Sequence, residues 1–390
     1  MLQWFLVFGL LLGGCAPQAV TPGENPATPH SVYTEEPDAA SARHARLLDP
    51  SAQSLDSWTR LAPALAASRA YAAQRPQDEV AVAHGEVTVL WSDVLRSLDR
   101  LDDLLPLLDG QPELLAANFR WLRLARGTDF SGYYEPVIKA SLKRQGAFQY
   151  PLYRRPPDML SLDLGQFLPQ YIGQRLQYRL HEGKPAPYYS REDIDERGAL
   201  HGRGLELAYA ADPLDAYFLH VQGSGRLLLP DGSLQPILYA AKTDRPYVSI
   251  GRWLRDRGLL REAANVDTVR AWLEAHPAEA RKIMYLNENY VFFRFAEEGP
   301  VGGMGGLLTP WVSLAVDRSL LPLGAVVAFS VQAPSPGGQE RRLAGLGLAQ
   351  DAGGAIKGRR LDLFCGSGDE AAYTAHRLHA PGEAWLLLAR

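Results

Sequence analysis

Asp351-Ala352-Gly353-Gly354-Ala355-Ile356-Lys357-Gly358-Arg359-Arg360-Leu361-Asp362-Leu363-Phe364 sets two carboxylates on either side of a glycine-rich turn. Gly353, Gly354 and Gly358 allow backbone angles that side-chained residues avoid, so the turn can be tight and a ligand can approach the main chain. Leu361 to Cys365 reads as a short strand. Alternation puts Asp362 and Phe364 on one face, with Leu361, Leu363 and Cys365 on the other. A carboxylate on an apolar strand is costly unless something pairs it or uses it. The chemistry is expected there.

Outward from this strand, the C-terminal third reads as β-rich from Tyr285, with runs at Tyr290–Phe295, Val312–Val316, Val326–Val331, Arg342–Ala349 and Ala384–Leu388. Between about Ala140 and His276 lie short strand-like runs, Phe148–Tyr153, Leu205–Tyr209, Ala216–Val221 and Leu227–Leu229. Pro230-Asp231-Gly232 then turns the chain back into Leu234–Tyr239 as a hairpin. Ser249–Arg257 and Val266–His276 have helical spacing. So do Ser54–Ala73, Val89–Leu105 and Pro112–Leu124 nearer the N-terminus. The fold class is α+β, mainly β, with the middle β region inserted within another β domain.

The 390 residues suffice for two ordinary domains. A net charge of −4 argues against a general nucleic-acid binder, which would carry a basic surplus. Leu2 to Leu12 is apolar but too short to span a membrane, and it ends in Leu12-Gly13-Gly14-Cys15. This resembles a bacterial lipoprotein signal over residues 1–15, with lipid expected on Cys15. Ala16 after the cysteine points to an outer-membrane lipoprotein facing the periplasm. Residues 16–42 are rich in Pro, Ala, Thr and Ser, and a flexible tether is expected over 16–50. The second cysteine, Cys365, then has no disulfide partner and reads as buried packing.

Four motifs, in order, resemble the membrane-bound lytic murein transglycosylase A family. They are Gly132-Tyr133-Tyr134-Glu135-Pro136, Val221-Gln222-Gly223-Ser224-Gly225-Arg226, Pro246-Tyr247-Val248-Ser249-Ile250-Gly251 and the Asp351–Asp362 segment. Asn287, Tyr290-Val291-Phe292-Phe293 and Leu314-Ala315-Val316-Asp317-Arg318 fall where that family would have them. The C-terminal part resembles its three-aspartate module, with Asp317, Asp351 and Asp362 in the acidic positions. The resemblance implies a double-psi β-barrel from residues 51–138 and 285–390. It also implies an inserted β domain at 139–284 and a groove between the two for peptidoglycan glycan strands.

It further implies cleavage of the β-1,4 bond between N-acetylmuramic acid and N-acetylglucosamine, closing a 1,6-anhydro ring. The nucleophile is the sugar's own C6 hydroxyl, already tethered, so one carboxyl can serve as acid and then base. That role falls to Asp362, with Asp351 supporting it and Asp317 structural. The acid must stay protonated near neutral pH, which burial or a second carboxylate would favour. Lys357 is expected to face elsewhere. Tyr133, Tyr134, Gln222, Ser224, Arg226, Gly353, Gly354 and Phe364 are candidate substrate contacts, with only one of the two tyrosines reaching sugar. Glu135 reads as a solvated charge. The Gly302–Gly306 loop reads as a groove edge or a simple turn. His376 and His379 show no accompanying ligands, so no metal or other cofactor is expected. Expected partners are the glycan strands, the membrane through the lipid, and other cell-wall enzymes. A hydrolytic muramidase or a non-catalytic peptidoglycan-binding lipoprotein stands as the alternative.

Overall fold

The computed structural model describes residues 32–125, 127–171, 174–260, 265–353 and 356–390. Six strands close a barrel in the order His379–Ala389, Val326–Pro334, Glu340–Asp351, Ser313–Ala315, Arg360–Ser367 and Thr128–Glu135. The last pairs back onto the first. Closure is the reason these runs are so apolar: Leu343 to Gln350 is buried without a break. Phe130, Phe329, Leu361, Leu363, Cys365 and Trp385 belong to the single large core. The Trp91–Leu108 helix adds to the same core through Val94, Leu98, Leu101, Leu105 and Leu108, which recur at helical spacing and are buried.

A second, six-stranded sheet runs Val291–Phe295, Leu234–Lys242, Gly225–Leu228, Val137–Ser141, Glu206–Ala210 and Tyr150–Tyr153. The hairpin expected at Pro230-Asp231-Gly232 forms, with Leu228 opposite Leu234 and Gly232 at φ 84°. Helices Pro213–Gln222, Ile250–Asp256, Val266–Ala275 and Pro277–Tyr285 make a separate apolar cluster beside this sheet. The first and last strands of this sheet along the chain, Val137–Ser141 and Val291–Phe295, reach beyond the expected 139–284. The barrel strand Thr128–Glu135 passes through Pro136 directly into it.

Three further expectations change. Ala216–Val221 is not a strand but part of the Pro213–Gln222 helix. Asp212 accepts the N–H of Leu214 at 2.8 Å, Pro213 opens the helix, and Gly223 closes it at φ 84°. Pro112–Leu124 is helical only over Leu114–Asn118. Phe119–Leu124 is a strand on His379–Ala389, because Phe119, Trp121, Leu122 and Leu124 all find burial there. Within the expected tether, Tyr33–Glu35 is a strand on Phe119–Leu124 and Asp38–Ala45 is a helix. Tyr33 is buried and its hydroxyl donates to the Leu320 carbonyl, so that segment is part of the fold.

Candidate active site

Alternation on the Arg360–Ser367 strand works as the sequence suggests. Leu361, Leu363 and Cys365 enter the barrel core, whereas Asp362 sits half-buried on the outer face. Ala315 on the neighbouring strand pairs with Asp362 on one side and Asp351 on the other. The two acids therefore lie roughly 10 Å apart at their backbones, two strand spacings. On the far side, Ser131 is register partner to Asp362, and Tyr133 to Phe364.

Ser131 Oγ donates to Asp362 Oδ1 at 2.7 Å and accepts from Arg360 Nε at 3.1 Å. Arg360 thus fixes the serine rather than pairing with the acid. Among the described residues Asp362 makes no ion pair, and Lys357 acts on Asp317 instead. Burial pushes the Asp362 carboxyl above its usual range, and the nearby Asp351 charge adds to this. The Ser131 hydroxyl and Arg360 oppose it.

Asp351 is held from three directions: by Tyr133 Oη at 2.9 Å, Gly303 N at 2.8 Å and its neighbour Ala352 N at 2.8 Å. The Gly302–Gly306 loop is therefore pinned onto the acid. A Cβ at Gly302 would stand 2.6 Å from the Gln350 carbonyl, so glycine is required for that approach. Asp317 caps its own turn. It accepts from Ser319 N at 3.0 Å, Ser319 Oγ at 2.8 Å and, across the glycine turn, Gly358 N at 2.7 Å. Burial works against its charge, but these donors and Lys357 hold the carboxyl below its usual range.

The two tyrosines diverge, as adjacent strand residues must. Tyr133 lies against Phe364 at 5.3 Å between ring centres, on the acid's face. Tyr134 turns to the other side, edge-on to His376 at 4.9 Å, where His376 Nδ1 bonds Asp267 at 2.7 Å. Phe364 is buried, beneath Tyr133. Glu135 is not a solvated charge: it is 2% exposed and receives Arg226 Nε at 2.7 Å. Burial raises its carboxyl and Arg226 opposes that. Arg226 also donates to the Gly299 carbonyl at 3.1 Å, clasping the two crossings between barrel and inserted domain. Gln222 and Ser224 are half-buried around the helix end at Gly223. Gly353 packs on Ile356, while Gly354 and Cys15 lie outside the described residues.

Sequence reading missed Ser131, although Phe130-Ser131-Gly132 directly precedes the tyrosine motif. A cavity of about 600 Å³ lies in the inserted domain, and another of about 220 Å³ at the junction contains Tyr134 and His376. Neither is lined by Asp362 or Asp351.

The model of the MltA specific insert domain matches residues 129–294, and that of the 3D domain matches 312–388. Membrane-bound lytic murein transglycosylase A of Escherichia coli K12 is 36% identical over 267 residues, which are 66% of this chain and 65% of that protein. The chain thus matches just under two thirds of the length of that curated relative. The crystal structure of a membrane-bound lytic murein transglycosylase from Agrobacterium tumefaciens superposes with a TM-score of 0.72 at 30% identity. It covers 88% of this chain and 96% of its own. E. coli MltA with bound chitohexaose gives a TM-score of 0.63 at 28% identity, covering 84% of this chain and 89% of that one. With both domains matched and the Agrobacterium structure covered almost end to end, the chain belongs to the membrane-bound lytic murein transglycosylase A family.

Proposed function

We propose that the chain is a lytic transglycosylase of peptidoglycan, with Asp362 as its single acid and base. One observation carries this reading. The Asp362 carboxyl is held toward its neutral form by burial, while a serine hydroxyl, not a cation, occupies one oxygen. With Oδ1 engaged by Ser131, the proton belongs on Oδ2. It passes to the departing N-acetylglucosamine oxygen as the glycosidic bond breaks. The emptied carboxylate then takes the proton of the muramic C6 hydroxyl as that oxygen bonds to C1. Asp351 supports by charge and by holding the Gly303 loop. Tyr133 positions Asp351 through its hydroxyl, and Phe364 backs Tyr133. Gly353, Gln222, Ser224 and Arg226 complete the proposed groove wall, and Tyr134 lies on the other side of its strand. Chitohexaose bound to the E. coli relative supports a glycan ligand.

A lipid on Cys15 would hold the enzyme at the outer membrane. The Leu12-Gly13-Gly14-Cys15 signature and the relatives' description as membrane-bound support this. No helix among the described residues is long and apolar enough to cross a membrane. Palmitate labelling that persists in Cys15→Ser would remove the anchor.

The main experiment is mass spectrometry of products from purified sacculi. The expected products are anhydro-muropeptides, and Asp362→Asn should lower their release by at least about a hundredfold. Reducing ends in place of anhydro ends would make the protein a hydrolase. Wild-type turnover by Asp362→Asn would discard the acid.

A further inference from the structure

Leu160–Asp163, Arg175–His181 and Lys184–Pro187 form a three-stranded sheet of their own. Its register sets Leu160 opposite Tyr178, Leu162 opposite Leu176 and Pro185 opposite Leu180. Residues paired this way share a face, so these six side chains form one apolar surface. None of them belongs to any hydrophobic cluster of the molecule. Leu176 and Leu180 are 43% and 55% exposed. The opposite face looks inward. It carries Gln177 and Arg179, whose Oε1 and Nε are buried, and Arg179 lies 4.4 Å over the Tyr189 ring. In the middle strand, polar Gln177 and Arg179 therefore turn toward the protein while Leu176 and Leu180 on the other face are exposed, the reverse of the usual alternation. The turn between the first two strands continues the surface with Phe167, 67% exposed, and Leu168 and Tyr171 beside it. An apolar face of this kind marks an interaction surface.

We propose that this face docks on an anionic phospholipid surface. The charge around it fits that occupant. The segment from Arg154 to Pro187 carries five Arg and Lys against three Asp and Glu, in a chain whose total charge is −4. Arg175 and Lys184 are exposed at the ends of their strands, rimming the apolar face from the other side, with Arg175 3.9 Å from Asp163. Leucine and phenylalanine entering the acyl boundary, tyrosines at headgroup level and flanking basic residues form the interfacial pattern. The surface lies within the inserted domain and does not depend on the proposed chemistry.

The test uses the chain from Ala16 onward, so that neither the lipid nor the apolar Leu2–Leu12 leader anchors it. It should co-sediment with vesicles of phosphatidylglycerol and phosphatidylethanolamine, and high salt should weaken the association. Leu176→Ser with Leu180→Ser, and separately Phe167→Ser with Leu168→Ser, should lower the association constant about tenfold or more. Melting temperatures should hold, since none of these side chains belongs to a hydrophobic cluster of the fold. Absence of vesicle binding, or binding unchanged in both double variants, would overturn the proposal. A dimer that the substitutions dissolve would assign the face to a second copy instead. Slower digestion of sacculi in solution by the double variants would assign it to substrate. Either of those two results also rejects the membrane.

Discussion

At Asp362 two neighbours act with opposite sign. Ser131 donates to the carboxylate and lowers its pKa, whereas the Asp351 charge raises it. Ser131→Ala should therefore move the alkaline limb of the pH–rate profile upward, and Asp351→Asn should move it downward. The sign follows from which protonation state each neighbour favours: an acid works only while protonated, and its activity fades as pH rises through its pKa. Limbs shifting in the same direction would show that another group titrates in the reaction. Much of this was legible in the residues themselves. Strand alternation placed Asp362 and Phe364 together, and adjacent tyrosines had to part. The serine beneath the acid was not legible, because its partner lies 231 positions further along and only strand register brings them together.

Among the elements, the join between barrel and insertion rests on Glu135 and Arg226. Replacing Arg226 by Met leaves a carboxylate buried without its partner, and the expected loss is roughly 3 kcal/mol of unfolding free energy. Burial already raises Glu135, so its charged form is the disfavoured one in the fold. The loss should then be full at neutral pH and shrink as acid protonates Glu135. Urea midpoints across pH read this directly. A midpoint that does not move would make the ion pair a bystander. The sequence presented Glu135 as a surface charge because nothing local reveals that Pro136 carries it under the inserted sheet. For the same reason Ala216–Val221 passes for a strand. Six apolar-rich residues carry too little periodicity, and the decisive signals, Asp212, Pro213 and Gly223, stand at the ends.

Across the whole molecule, Gln53 is one of the side chains that stitch the N-terminal segment to the barrel. Gln53 donates to the carbonyls of Trp311 at 2.6 Å and Leu346 at 2.9 Å, and accepts the N–H of Leu346 at 2.9 Å. Gly345 makes room for it, since a Cβ there would fall 1.9 Å from the glutamine oxygen. Gln53→Leu should strand all three backbone groups and cost about 3 kcal/mol, seen as a lower melting temperature. An unaltered melting curve would show that this segment is dispensable to the barrel. The α+β class was readable from the spacing of turns and apolar runs, whereas the insertion followed from the family resemblance. The place of Tyr33–Glu35 was not, because three residues gain their structure only from the strand they join.

Barrel closure has a consequence in time. The strand bearing Ser131 must wait for both Asp362 and the terminal strand His379–Ala389, which seals it. A ribosome or export channel releasing this chain from its N-terminus delivers those parts last. Until then the proposed acid is not fully enclosed, and a chain that stops short of residue 379 lacks the strand that closes the barrel. The proposed wall-cutting activity would thereby stay dormant throughout the chain's own synthesis.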